Sequence, residues 1–388
     1  MKLLEATMAV IGFSATAFGA IIPKTVDCVV QTDYDAIIVG GGPAGLSALS
    51  GLARVRRKVL LIDSGKYRNA QTRHAHDVLG FDGVTPAWFR YSARKQIATY
   101  DTIRMTNGTV TKIEAGKNNT YFTVMADLPE KKGQVMTARK IVLATGLKDE
   151  LPDTPGLQEN FGQGIYWCPW CDGHEHEDQE MGLLGDLETA TNKETAGYES
   201  YLKANNVTVD NRIIKSIVRL QDGEDKDSDP SLPSVTIHDL FRINFDQGPP
   251  IERNVFFANF PSSQASQLGP DMGVKLLGRG MAINFTEGYT TNVHGVWAIG
   301  DATSDNSTNI PHAMFTGKRS AVSLHIALAR EDQRTQIDLY NQNHQGAKRS
   351  LPVETERDLW SRMNGEPGDV LHAELPTNWI LSGDPLDE

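Results

Sequence analysis

Cysteine is scarce: the chain has three in 388 residues. A scaffold stapled by disulfides needs more, so the fold cannot rest on them. Two of the three, Cys168 and Cys171, stand as a C-x-x-C, a spacing that serves catalysis or metal binding. No second C-x-x-C and no H-x3-H follows to complete a zinc site, which counts against metal. Basic charge is also short, with Lys+Arg 38 against Asp+Glu 49 and a net charge of −11. That balance argues against nucleic acid or an anionic membrane as partner. The apolar stretch from Met8 to Ala20 is too short for a comfortable membrane span.

That stretch follows Lys2 and ends in small residues, the pattern of a secretory signal peptide over residues 1–20. Ala15/Ala17 and Ala17/Gly19 both satisfy a small-x-small cleavage rule, while Glu5 weakens the positive start; a disordered leader is the other reading. Five sequons, at Asn107, Asn118, Asn206, Asn284 and Asn306, fit a glycosylated protein in the secretory lumen or outside the cell. The third cysteine, Cys28, gets no role from the sequence.

The length allows two domains with real cores. Asp35 to Val39 is an apolar run of strand length that leads into Gly40-Gly41-Gly42-Pro43-Ala44-Gly45, a G-x-G-x-x-G. Leu46 to Ala53 has helical apolar spacing, and Lys58 to Ile62 is a second strand ending at Asp63, 18 residues after the last glycine. Glycines in this setting let the backbone approach a pyrophosphate at a helix N-terminus, and the acid takes a ribose hydroxyl. Residues 66–90 form a polar loop with Arg68, Arg73, His74, His76 and Asp77. Its histidines are either surface and packing residues or lie over the cofactor. Ala93 to Tyr100 reads as helix, and Thr109 to Ile113 with Thr120 to Met125 as a hairpin. Lys140 to Leu143 is a buried strand, and its end, Ala144-Thr145-Gly146, again permits close approach. Near the C-terminal side, Val293 to Ile299 is a strand ending in Gly300-Asp301. An apolar helix from about Ala313 to Ala329 follows it.

Between these cofactor-like stretches lies Cys168-Pro169-Trp170-Cys171-Asp172-Gly173-His174, two thiols followed by a carboxylate and an imidazole. The thiolate is the nucleophile in exchange, and Asp172 and His174 are placed to move its proton. A turn-forming role for Asp172 and a structural one for His174 are the competing readings. Trp167 and Trp170 are either an apolar wall for a small cyclic substrate or core aromatics. One feature is missing. After the strand Met181 to Leu184, where a second nucleotide turn would need more glycines, the chain runs Gly185-Asp186-Leu187-Glu188. Acids there repel phosphates, and no strand followed by paired arginines offers a 2′-phosphate pocket.

Taken in order, the Gly40–Gly45 turn, Ala144-Thr145-Gly146, Cys168-Pro169-Trp170-Cys171-Asp172-Gly173 and Gly300-Asp301 resemble the low-molecular-weight thioredoxin reductase family over roughly residues 33–330. Tyr67-Arg68-Asn69-Ala70 and His76-x-x-Leu79-Gly80-Phe81-Asp82-Gly83 are similar to its fungal branch, the gliotoxin type that oxidises dithiols in secondary metabolism. The resemblance implies an α/β, two-domain class II pyridine nucleotide-disulfide oxidoreductase fold. Its Rossmann-like FAD domain (33–156 and 286–335) would be interrupted by a smaller, degenerate nucleotide-binding-like domain (157–285), with 336–388 a C-terminal extension. FAD would be held by Gly40, Gly42, Pro43, Ala44, Gly45, Asp63, Ala144, Thr145, Gly146, Gly300 and Asp301. Cys171 would face the flavin, Cys168 would exchange with substrate, Asp172 would service the dithiol, and the protein would be a homodimer. Three functions stay open: oxidation of a small-molecule dithiol or protein thiol with molecular oxygen as acceptor, NADPH-dependent disulfide reduction, and flavin binding with a vestigial dithiol.

Overall fold

The computed structural model describes residues 31–185, 198–224, 227, 229–232 and 235–343. The expected leader, Cys28, Asp186, Glu188 and most of the C-terminal extension lie outside the described residues. Two units divide the chain, Met1–Ala329 and Arg330–Glu388. The first holds everything considered below except the last residues of the C-terminal helix.

In chain order the first elements are β1 (Tyr34–Val39), α1 (Pro43–Arg54), β2 (Val59–Asp63), α2 (Pro86–Ile97), β3 (Ile103–Asn107), β4 (Thr109–Ala115), β5 (Phe122–Asp127) and β6 (Gln134–Leu143). Next come β7 (Leu147–Asp149), α3 (Leu157–Asn160), β8 (Ile165–Tyr166), α4 (Pro169–Asp172), β9 (Met181–Leu184), α5 (Tyr198–Ala204), β10 (Ile214–Gln221), β11 (Leu240–Phe245), β12 (Ile251–Arg253) and β13 (Val255–Ala258). The last are β14 (Ser262–Gln264), α6 (Leu268–Asp271), β15 (Leu276–Leu277), β16 (Gly280–Met281), β17 (Val296–Ala298) and α7 (Ile310–Asn343).

The main sheet runs β3-β2-β1-β6-β5-β4, with β17 also on β6. Ile37, Ile38, Leu61, Val142 and Ala298 are buried on both faces of it, which is why these strands read as unbroken apolar runs rather than alternating ones. The long strand β6 uses one edge twice. Residues 134–138 pair antiparallel with β5, and Ile141 to Leu143 pair parallel with β17. The expected hairpin is β4 and β5, joined by a short 3-10 turn at Lys117–Asn119.

Helix α1 covers one face through Leu46, Leu49 and Leu52. It crosses α7 closely because both present small residues. A Cβ on Gly317 would lie 2.2 Å from the Ala44 carbonyl oxygen, and one on Gly51 would lie 2.6 Å from the Ala321 Cβ. Helix α2 starts earlier than the apolar pattern suggests. Thr85 caps it by accepting from the Trp88 amide at 3.2 Å, and Pro86 fits the first turn.

A second core gathers Leu157, Phe161, Ile165, Leu184, Ile217, Phe241, Ile243 and Phe256. It joins the β10-β11-β12 sheet to the β8-β13-β9 sheet. The return to the large sheet comes before residue 285, the expected boundary. Leu268, Val274 and Met281 pack with Ile37, Leu143 and Val296, and β14 pairs with β7.

The α1–α7 crossing has no room for a side chain. Gly317→Ala should therefore cost about 1–3 kcal/mol and lower the melting temperature by roughly 2–10 °C. Circular dichroism during heating reads this directly, and an unchanged melting point would mean the helices separate freely.

Candidate active site

Parallel pairing brings four separate stretches to one edge. Val39 lies beside Ile62 and Leu143, and Ala298 beside Leu143. The chain then turns at the carboxyl end of each strand. The Gly40 amide donates to Ile62 at 2.8 Å, the Ala144 amide to Val39 at 2.9 Å and the Ile299 amide to Leu143 at 3.0 Å. So the Gly40–Gly45 turn, Asp63, Ala144-Thr145-Gly146 and Gly300-Asp301 share one rim.

The turn is built for close approach. Gly40 has φ +111°, and a Cβ there would sit 2.3 Å from the Ala144 carbonyl oxygen. A Cβ on Gly45 would meet the Gly40 carbonyl oxygen at 2.0 Å. A Cβ on Gly42 would meet nothing, so the cradle is open where α1 begins with Pro43 and Ala44 and no capping side chain. The Thr145 hydroxyl is buried without a hydrogen-bond partner. An open glycine cradle at a helix N-terminus beside an orphaned hydroxyl fits FAD. The flavin ring of FAD supplies two-electron redox chemistry when bound.

The two acids at the rim are already engaged. Asp63 is buried and accepts from the Tyr67 hydroxyl at 2.5 Å, from the Gly65 amide at 3.1 Å and from the Arg94 guanidinium. Asp301 accepts from Arg68 at 3.2 Å. Arg68 also forks onto Asp149, with contacts of 2.8 and 2.7 Å. Burial pushes the Asp301 carboxyl up, and the Arg68 charge opposes that shift. The sequence placed Arg68 in a polar loop; only the fold shows it bridging β7 to the cofactor rim.

Arg68 also reaches the dithiol arm, with its guanidinium 5.2 Å from the Trp167 ring centre. Trp167 stacks on Phe161 at 5.1 Å. Trp170 behaves differently: it is 82% exposed, and its indole donates to Asp77 at 3.2 Å. One of the two tryptophans thus packs and the other stands in solvent beside the thiols.

Cys168 and Cys171 form a disulfide, S–S 2.02 Å. Cys168 is the N-cap of the four-residue helix α4, and the Cys171 amide donates to its Sγ at 3.1 Å. Pro169 follows the cap, and Asp172 ends the turn pointing inward. Asp172 is buried, and its pKa is pushed up to about 8, first by desolvation and then by the negative charge of Glu175. It is therefore a neutral acid at pH 7.

His174 is placed elsewhere. Its side chain is 83% exposed and lies 3.4 Å from Glu177. The imidazoles that line the pocket with Asp172 are His74, His76 and His176, of which His176 is buried and the other two are partly so. His76 arrives from the 66–85 loop, too far along the chain for local spacing to reveal it; His176 sits two residues past the heptad.

A carboxyl whose folded pKa is raised lends stability that is full below its unfolded pKa near 4 and is lost as pH rises through about 8. Asp172→Asn removes that loss. The variant should melt above the wild type at pH 9 and near it at pH 4. Its Cys168–Cys171 disulfide should exchange with dithiothreitol at least 10-fold more slowly at pH 7. Melting curves that stay parallel across this range would remove the buried acid from the account.

Comparison with known proteins agrees with this geometry. Residues 34–209 match the family described as pyridine nucleotide-disulphide oxidoreductase. A protein of Arthroderma benhamiae named "Probable thioredoxin reductase" is 44% identical over 335 residues, covering 77% of this chain and 81% of its own. "Thioredoxin reductase tcpT" of Claviceps purpurea is 31% identical over 310 residues, covering 73% of this chain and 90% of its own. Among solved structures, HlmI superposes with a TM-score of 0.69 at 26% identity, covering 80% of this chain and 97% of that one. An oxidoreductase from Agrobacterium tumefaciens superposes at 0.63 and 26% identity, covering 76% and 98%. The open glycine cradle, the C-x-x-C disulfide inserted between its halves and these relatives together show that the chain belongs to the thioredoxin reductase-like, FAD-binding pyridine nucleotide-disulphide oxidoreductases.

Proposed function

We propose that the protein is a dithiol oxidase. A substrate thiolate attacks Cys168 Sγ, the Cys168–Cys171 bond breaks, and Cys171 leaves as a thiolate. Asp172, neutral at pH 7, gives it a proton. The second substrate thiol gives its proton to the Asp172 carboxylate and attacks the substrate's first sulfur; Cys168 leaves as a thiolate that takes up the proton lost when the first thiol ionised, and the substrate departs as a disulfide. The enzyme is left with two reduced cysteines, so substrate and enzyme have exchanged two electrons and two protons. FAD held at the Gly40–Gly45 turn would supply the two-electron acceptor for the reduced cysteines, and molecular oxygen would be the final acceptor.

The observation that carries this direction concerns charge. The inserted domain has four arginines between residues 157 and 260, and each is held by a carboxylate. Arg212 pairs with Asp210, Arg219 with Asp239 and Asp222, Arg242 with Glu252, and Arg253 with Glu180. Among the described residues no arginine of this domain is left over for a 2′-phosphate. The acids after Gly185 add to the same argument.

Three further parts belong to the same reading. The substrate is a small dithiol, for which exposed Trp170, next to Cys171 in the chain, offers apolar surface. The protein travels a secretory route, as its leader and five exposed sequon asparagines suggest. It forms a homodimer, for which Phe315, Val322 and Ile326 make one exposed apolar helix face. A second reading, disulfide reduction, draws on the names of the relatives.

The two separate in one anaerobic experiment. Dithiothreitol should bleach the flavin band, and air should restore it with release of peroxide; NADPH should leave the band unchanged. Bleaching by NADPH would establish the reductase reading, and silence toward both would make the dithiol vestigial. Cys171→Ser should keep the flavin and lose dithiol-driven bleaching by more than 100-fold.

A further inference from the structure

Trp170 stands between the two thiols in sequence and gains little from the core, since it is 82% exposed. A side chain of this size left in water forgoes most of its hydrophobic stabilisation. It is nevertheless held. Its indole N–H donates to Asp77 Oδ2 at 3.2 Å, from a segment 93 residues away. A free indole would present both a donor and a ring. Here the donor is taken up, so the surface next to Cys171 in the chain is ring alone.

Asp77 is in turn fixed. Its backbone is left-handed, with φ +58°, a conformation that aspartate tolerates better than most side chains. Its amide donates to the Asp82 carboxylate at 2.7 Å. The segment closes on itself around these residues: the Ala75 amide donates to the Val84 carbonyl and the Gly83 amide to the Ala75 carbonyl, both at 2.8 Å. Val78 and Val84 are buried with Phe89, and Phe81 packs edge-on against the Phe89 ring at 5.4 Å. Just before the hairpin, Arg73 bonds Asp239 of the inserted domain at 2.7 Å. The carboxylate that holds the indole therefore stands on a braced hairpin, and its uncommon backbone conformation is kept by those braces.

We propose that Asp77 is a positioning residue that pins Trp170 as a stacking wall, and that the pair gives the site a preference for ring-bearing over open-chain dithiols. This rests on the substrate being a small dithiol, and names its class. Pinning removes rotamer freedom before the substrate arrives, so binding does not have to supply that ordering. With its donor engaged, the indole selects by stacking and not by hydrogen bonding.

The test measures exchange at the Cys168–Cys171 disulfide of the oxidised holoenzyme without oxygen, by acid quench, alkylation and mass spectrometry. Two dithiols are compared: ortho-xylylene dithiol, which carries a ring, and dithiothreitol, which does not. The wild type should half-saturate at a lower concentration of the aromatic dithiol. In Trp170→Ala the preference for it should fall by roughly 10-fold. Asp77→Gly keeps the left-handed backbone and removes the carboxylate. It should raise the half-saturating concentration of the aromatic dithiol by about 3–10-fold, the change falling there and not on the limiting rate. Asp77→Asn retains an oxygen that accepts from the indole and should match the wild type.

Trp170→Phe has a ring and no N–H, so adding Asp77→Gly to it should have no further effect. A loss from Asp77→Gly that persists without the indole N–H would overturn the proposal, as would equal losses for both dithiols in Trp170→Ala. Melting temperature and flavin content show which variants fold. Should Asp77→Gly not fold, Trp170→Phe decides alone, because losing the N–H should by itself reproduce the rise in half-saturation. The exchange needs no electron acceptor, so failure here is distinguishable from failure of the oxidase reading, which the flavin band decides.

Discussion

Parallel hydrogen bonding between β1, β2, β6 and β17 is the constraint on which the rest depends. Parallel strands end together, and so their turns crowd one edge. Here that edge carries two glycines with no tolerance for a Cβ, two acids and an unpartnered hydroxyl. β6 does most of the positioning. It spends its first half on the β5 hairpin and its second on β17, a strand more than 150 residues further along. Because that pairing closes across the inserted domain, the insertion leaves and rejoins the chain at the same sheet.

The loop between β2 and α2 is the second tie. Arg68 binds Asp149 and Asp301 and covers Trp167; Arg73 binds Asp239 in the inserted domain; Asp77 holds the Trp170 indole. Burying such charges is expensive in itself, and a pair this deep seldom adds net stability. Its effect is specificity. Either arginine without its carboxylates would be a stranded charge, so the loop has one low-energy docking position. That position also delivers His76 to Glu175.

Much of this could be read from the chain. The glycine turn, the strands around it, the hairpin, the C-x-x-C and its following acid are local patterns whose physics is carried by neighbours in sequence. Gly40, Gly42, Gly45, Asp63, Ala144, Thr145, Gly146, Gly300 and Asp301 meet because the pattern strand–turn recurs and parallel pairing aligns the recurrences. What could not be read is tertiary. His174 has the right type and spacing for an acid–base partner, yet the turn after Asp172 continues as a short 3-10 helix that sends it to solvent. Glu175 and His176 turn inward instead. The roles of Arg68 and His76 depend on where a loop folds back. Where the chain rejoins the large sheet is equally hidden, because Leu268, Val274 and Met281 carry no mark of which core they join.

The raised Asp172 pKa keeps a proton beside the dithiol at neutral pH. A cysteine thiol ordinarily titrates at about 8.5, close to the value of about 8 for this carboxyl. Proton transfer between them is then nearly balanced. An acid of ordinary strength would be ionised and unable to protonate a departing thiolate; a much weaker one would never accept the proton back. Direction must come from what replenishes or drains the electrons further on, and there the carboxylate-bound arginines of the inserted domain leave no arginine for a phosphorylated nicotinamide donor among the described residues. The proton chemistry is permissive, and it is the charge pattern on which the proposed oxidase direction draws.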